Sequence, residues 1–179
     1  MEISLDTILK TPKLSLRAVD FTDVDLVWEA TRFDGFNDGM TWDPPETRED
    51  IVRITERNLE HWKQGKDYVF TIELLNPVCA IGRVGLHKES EPDTWNIGFW
   101  IHPDHWGNGY AGEASRSVLQ FGFEAIGAGK IVTAHAVWNT RSQRVIESLG
   151  FHRVQENPAG FYKNGKPVPE YEYELIRAR

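Results

Sequence analysis

Cysteine is almost absent from this sequence, with Cys79 the only one in 179 residues. No internal disulfide can form, and no cysteine cluster is available for a structural metal. Such usage suits a reducing compartment, so a cytoplasmic location is expected. Cys79 lies in the apolar run Pro77-Val78-Cys79-Ala80-Ile81 and is expected to be a buried, inert thiol, because no neighbouring histidine activates it. Long apolar runs are missing as well. Nothing approaches the roughly 20 residues that cross a bilayer, and the start, Met1 to Asp6, has no basic segment followed by an apolar one. Neither a signal peptide nor a membrane partner is expected. Basic charge is scarce: 20 Lys and Arg stand against 27 Asp and Glu, a net charge of −7. That excess argues against nucleic-acid binding, which rests on neutralising phosphates with cations.

What remains is ordinary globular material, 40% hydrophobic, enough for one domain spanning residues 1–179 with a continuous core. Leu14 to Val19 alternates as a strand, and Thr22 is placed to cap a first helix. A loop rich in Gly, Pro and acids follows from Asp34 to Glu46. Thr47-x-x-Asp50 opens a second helix that ends at Gly65. Tyr68–Leu74 and Val78–Leu86 read as a hairpin around Asn76-Pro77, and Asp93–Ile101 as the next strand. A long helix then runs to about Gly127, a strand spans Ile131–Val137, a helix spans Asn139–Gly150, and Phe161 to Arg177 reads as a final pair of strands turning at Asn164-Gly165. The strands before and after the long helix must run parallel, because a helix crosses between them. The expected class is α+β, with seven strands, mostly antiparallel, and about four helices.

The centre of the chain is Ile97 to Ala114, an apolar run that gives way to Gly107, Gly109 and Gly112 and then to a helical pattern. A glycine turn at a helix start leaves backbone N–H groups free and favours an anion such as phosphate. Gly112 is followed by Glu113 and Ala114, so the lysine and hydroxyl of a nucleotide triphosphate loop are missing. Gly107 to Gly112 does satisfy the dinucleotide pattern G-x-G-x-x-G. However, His102 to Trp106 separate it from the strand, and the next strand ends at Trp138-Asn139 without an acidic ribose partner. A dinucleotide-binding domain is therefore disfavoured.

Trp106-Gly107-Asn108-Gly109-Tyr110-Ala111 resembles the pyrophosphate loop of the GNAT superfamily of N-acetyltransferases, with pattern Gln/Arg-x-x-Gly-x-Gly/Ala. Trp106 stands where Gln or Arg is usual, as in the branch of ribosomal-protein alanine N-acetyltransferases. Asn139-Thr140-Arg141-Ser142 followed by Leu149-Gly150-Phe151 is similar to that branch's Asn-x-x-Ser…Leu-Gly-Phe signature. The resemblance covers roughly Leu14 to Ile176. It implies the GNAT fold, with acetyl-CoA as co-substrate between splayed fourth and fifth strands. Phe99, Trp100 and Ile101 would line the acetyl and pantetheine groups, and the amides of Trp106, Gly107, Asn108, Gly109, Tyr110 and Ala111 would hold the pyrophosphate. Asn139 would contact the pantetheine arm, and Ser142 would protonate the leaving thiolate as general acid. Either residue is equally suited to cap the helix that begins there.

The resemblance also implies a primary-amine acceptor, either a protein N-terminus or a small molecule, attacked directly without a covalent enzyme intermediate. Trp42 and Asp43 are the substrate-side candidates. Family members often carry an acid at the position of Asn96 or near Gly160, and this chain carries one at neither. His87, Glu73, His135, Asp43 and Glu170 are left as candidate bases, with an ordered water as the alternative. Those missing acids also leave open a non-catalytic acyl-CoA-binding module. Glu113 is expected to be structural. His102-Pro103-Asp104-His105 lacks metal-ligand spacing, so surface loop residues and no metal are expected.

Overall fold

The computed structural model describes residues 3–177. Its elements run β1 (Ile8–Lys10), β2 (Leu14–Ala18), α1 (Val24–Ala30), α2 (Arg48–Lys63), β3 (Asp67–Leu75), β4 (Val78–Lys88), β5 (Thr94–Ile101), α3 (Tyr110–Glu124), β6 (Lys130–Ala136), α4 (Thr140–Ser148), β7 (His152–Lys163) and β8 (Lys166–Ile176). The strands form one sheet in the order β1-β2-β3-β4-β5-β6-β8-β7. The α+β class and the four helices agree with the sequence reading, but the sheet has eight strands rather than seven. The additional strand is β1, a three-residue edge strand with Leu9 opposite Leu16, too short to display alternation.

All neighbouring strands are antiparallel except β5 and β6, which α3 joins by a crossover. The parallel pair is thus the fifth and sixth strands, one later than counted. Its ladder is short: Thr94 pairs with Lys130, Trp95 with Ile131 and Asn96 with Val132. Beyond that point β5 stays with β4 as far as Ile101, and β6 stays with β8 as far as Ala136. The two strands diverge and open a wedge. Near its apex the Thr133 hydroxyl donates to the Ile97 carbonyl at 2.9 Å.

Alternation along β4 and β5 sorts the residues between two faces. Val84, Leu86, Ile97 and Phe99 turn towards α3, whose Ala114, Val118, Leu119 and Phe121 complete the main core. Each fully buried large side chain there contributes roughly 1.5–3 kcal/mol. Gly122 lets α3 approach, since a β-carbon on it would lie 2.9 Å from methyls of both Ile131 and Leu86. Arg83, Gly85 and His87 share the other face with Trp100, Gly98 and Asn96. Asp23, 1% exposed, anchors this face by accepting from Arg17 Nη2 at 2.7 Å and from the Thr71 hydroxyl at 2.5 Å.

Local signals performed unevenly. Thr47 and Asp50 form the expected reciprocal cap of α2. Thr22 caps nothing: Asp20 accepts from the Thr22 amide at 2.7 Å and starts a short 3-10 turn, Phe21–Asp23, that precedes α1. The earlier carboxylate reaches the free amides first. Gly150 closes α4 with φ 89°, and Phe151 is buried behind it, as the sequence indicated. The last hairpin turns at Asn164-Gly165, but β7 begins at His152, well before Phe161. Its first five residues are exposed on an edge, so no apolar pattern announces them. Cys79 is half-buried rather than fully buried.

Candidate active site

The loop after β5 is shaped to present its backbone. Trp106 donates from its indole to the Ile101 carbonyl at 2.7 Å, which ties the loop to the strand end. Its ring also carries the Arg141 guanidinium, 3.7 Å from the ring centroid. Gly107 and Gly109 adopt φ of 80° and 79°, a region that other residues enter only with strain. A β-carbon on Gly107, Gly109 or Gly112 would meet nothing within 4 Å, so the backbone beneath is bare. Asn108 turns its side-chain amide inward, to the carbonyls of His105 and Trp106, both at 3.1 Å. Among the described residues, no backbone carbonyl accepts from the amides of Gly107, Asn108 or Gly109. Tyr110 and Ala111 begin α3, where the first-turn amides have no intrahelical acceptor. Together these groups make an anion cradle at the positive end of a 15-residue helix. Glu113 does not face it, accepting instead from the Thr11 hydroxyl at 2.6 Å and the Lys13 amide at 2.9 Å.

From this cradle a cleft of about 1090 Å³ runs through the wedge to the face bearing α1 and α2. Phe99, Trp100, Ile101, Trp106, Gly107, Asn108, Gly109, Tyr110, Ala111, Asn139 and Ser142, all named from the sequence, line it. Phe99 and Trp100 are half-buried, whereas Ile101 is 5% exposed and offers mainly its backbone. Asn139 is the N-cap of α4, its Oδ1 accepting from the Ser142 amide at 3.2 Å. One side of the Asn139 side chain is thereby engaged; its Nδ2 faces Gly39, where a β-carbon would stand only 2.8 Å away. The Ser142 hydroxyl has no hydrogen-bond partner among the described residues.

The far wall is the connection between α1 and α2. Trp42 and Asp43 line the cleft, as do Phe36 and Trp138. Phe36 is buried and packs edge-on against Trp100 at 5.6 Å and against Trp42 at 6.5 Å, so it links this wall to β5. Lys163, from the tip of the β7–β8 hairpin, donates to the Trp42 carbonyl at 2.8 Å and to Asp43 Oδ1 at 3.0 Å. Asp43 therefore carries its own cation. Arg83 also lines the cleft; it is 7% exposed, and burial pushes it down to about 10 while Asp23, 3.9 Å away, pulls the other way.

The candidate bases separate clearly. Glu73 is held by Arg17 Nε at 2.8 Å and lies outside the cleft. His135 is buried between the Ala136 carbonyl at 2.8 Å and the Tyr173 hydroxyl at 3.2 Å, with both ring nitrogens engaged. Glu170 is 8% exposed and lines the cleft; burial raises its pKa, and Glu172 adds to the effect. Its carboxylate fills the space where any side chain at Gly160 would begin, so Gly160 has no room for one. His87 lines the cleft with its Nδ1 3.0 Å from Asp67 Oδ1. Of the His102–His105 segment, His102 is buried against Phe33 rather than on the surface, with Asp104 more exposed. Among the described residues no group of His, Cys, Asp and Glu could hold a metal. Phe36, Arg83, Lys163 and Asp67 were not singled out as site residues by sequence reasoning. No local motif marks them, because each reaches the site from a different element.

A sheet with one parallel pair splayed beside a glycine cradle is the arrangement that the resemblance in the sequence implies. The acetyltransferase (GNAT) domain model matches residues 13–152, and the chain belongs to that family. It is thereby an N-acetyltransferase by class. The uncharacterized N-acetyltransferase YoaA of Bacillus subtilis (strain 168) is 26% identical over 96% of this chain and 98% of its own. An acetyltransferase (GNAT family) from Bacillus anthracis superposes with TM-score 0.84 at 25% identity, covering 95% of this chain and 98% of that one. RimL, a ribosomal L7/L12 alpha-N-protein acetyltransferase in complex with coenzyme A, superposes with TM-score 0.85 at 18% identity over 95% and 98% of the two chains, a likeness of fold.

Proposed function

We propose that this chain transfers the acetyl group of acetyl-CoA to a primary amine, by direct attack of the amine on the thioester. The observation that carries this reading is the single cleft that joins the bare amides of the glycine loop to the wedge between β5 and β6. Trp106 to Ala111 hold the pyrophosphate through backbone N–H groups. Phe99, Trp100 and Ile101 flank the pantetheine and acetyl groups, and β5 amides without ladder partners polarise the thioester carbonyl. Asn139 contacts the pantetheine arm. Ser142, with its hydroxyl free at the start of α4, gives a proton to the departing thiolate. A thiolate of pKa about 8.5 is a good leaving group, so this assistance is modest.

The acceptor enters past Trp42 and Asp43. The likeness to RimL supports a protein N-terminal α-amine, and a small amine fits the same chemistry. The chain acts as one catalytic domain, since every strand described belongs to one sheet, and its single cysteine supports a cytoplasmic location. The test is CoA release from acetyl-CoA across a panel of small amines and peptides with free N-termini. Amine-dependent release is the expected outcome and names the acceptor class. Acetyl-CoA binding without turnover on any amine would withdraw the transfer reading in favour of a binding module.

A further inference from the structure

We propose that His87 is the base that receives the proton of the attacking amine, and that Asp67 is the residue that positions its ring. The proposal rests on the acetyl-transfer reading and names a catalytic residue for it.

The position follows from the register. His87 pairs with Asn96, and Asn96 with Val132 is the last rung before β5 and β6 diverge. His87 therefore stands in the row of residues at the apex of the wedge, on the face open to α1 and α2. The next row on this face is Gly85 opposite Gly98, so the floor beyond His87 is open over Gly98, where a β-carbon would meet nothing within 4 Å, and partly covered by Val69 over Gly85. The imidazole leans over that floor: its Nε2 lies 3.3 Å from where a β-carbon on Gly85 would stand.

The chemistry follows from the partner. Nδ1 lies 3.0 Å from Asp67 Oδ1, while the other carboxylate oxygen lies 2.5 Å from His61 Nδ1. Burial alone would raise the Asp67 pKa, but hydrogen bonds from His87 and His61 outweigh it and hold Asp67 ionised. A carboxylate accepts only, so the His87 proton sits on Nδ1, and the lone pair on Nε2 faces the cleft. An imidazolium formed there is stabilised by the same carboxylate. The other charged or titratable groups around this end are His61 and Arg57 of α2 and Glu89 just beyond β4; β5 contributes only the uncharged Asn96 and Gly98. Glu170 sits on β8, beyond the wedge, and has no comparable orienting partner among the described residues.

In the step, the amine nitrogen forms a C–N bond to the thioester carbon, and the C–S bond breaks with its electron pair on sulfur. One N–H proton passes to His87 Nε2, and the thiolate takes up a proton, so amine and thioester become amide and thiol. The test is the pH dependence of kcat and of both KM values for wild type, His87→Gln, Asp67→Asn and Glu170→Gln, with melting temperatures to confirm folding. Wild-type kcat is expected to fall on the acid side, since a general base acts only in its unprotonated form. His87→Gln is expected to lose about 100-fold in kcat, to lose that acid limb and to keep its KM for acetyl-CoA. Asp67→Asn is expected to lower kcat about 10-fold while keeping both KM values, and Asp67→Glu to restore part of the loss, a split that loss of packing would not produce. A His87→Gln variant within about twofold of wild type overturns the proposal. So does an acid limb that survives in His87→Gln and disappears in Glu170→Gln. Wild-type protein that acetylates no amine withdraws the transfer reading and this one with it.

Discussion

The glycine-loop end of the cleft is made by six consecutive residues, Trp106 to Ala111, and offers backbone, whereas the far end, the proposed acceptor side, is made by side chains from β3, β4, β8, α2 and the loop before it, and offers titratable groups. At the first end a substitution matters through φ and through steric cover. At the second it matters through pairing: Asp67 holds two histidines, Lys163 holds Asp43, and Glu170 fills the space over Gly160. In the proposed reading, the cofactor's phosphates are met by backbone, which every sequence possesses, and the acceptor by side chains, which can vary independently.

The strongest test of this contrast is Gly109→Val. Its left-handed backbone and the branched side chain over bare amides are expected to weaken acetyl-CoA binding about 5- to 30-fold, leaving the amine KM in place. Calorimetry reads the first and kinetics the second; unchanged acetyl-CoA affinity would mean that the loop backbone is not the ligand. Asn139 sharpens the boundary between cap and contact. Asn139→Ala is expected to cost about 1 kcal/mol, or about 3 °C of melting temperature, through the lost cap. Asn139→Asp keeps the cap and the melting temperature, and both variants raise the acetyl-CoA KM if the side chain reaches the pantetheine. A normal KM in Asn139→Asp would make the residue a cap alone.

Lys163→Met releases the carbonyl of Trp42 and the carboxylate of Asp43, and should raise the amine KM about fivefold while sparing acetyl-CoA. Equal changes in both constants would erase the distinction between the two ends. The smallest effect is on stability at Glu170. Burial and Glu172 raise its folded pKa, so the folded state holds its proton longer than the unfolded chain does, and stability falls as pH rises through that window. Glu170→Gln should therefore melt slightly above wild type at neutral pH and match it in acid; the reverse order would show that the carboxylate has a stabilising partner.

Legibility followed the same division. The glycine loop, the capping box at Thr47, the Gly150-Phe151 helix end and the parallel crossover were all readable, because each is a pattern within a few residues or a consequence of chain order. The edge strand β1 was not, being three residues long, and the exposed start of β7 carries no hydrophobic alternation. The cap at Asp20 was misassigned to Thr22, since two capping residues lie two positions apart and only geometry decides which carbonyl and amide each can reach.

The proposed base was legible only as one of an unranked set of candidates. His87 and Asp67 lie 20 positions apart and meet because β3 and β4 pair Asp67 directly with His87. By itself, the sequence determined where backbone amides are left bare at a helix start, since glycine conformations and a helix start are local properties of the backbone. Which side chains face the cleft was decided by strand register, where a shift of one residue would turn His87 to the opposite face of the sheet.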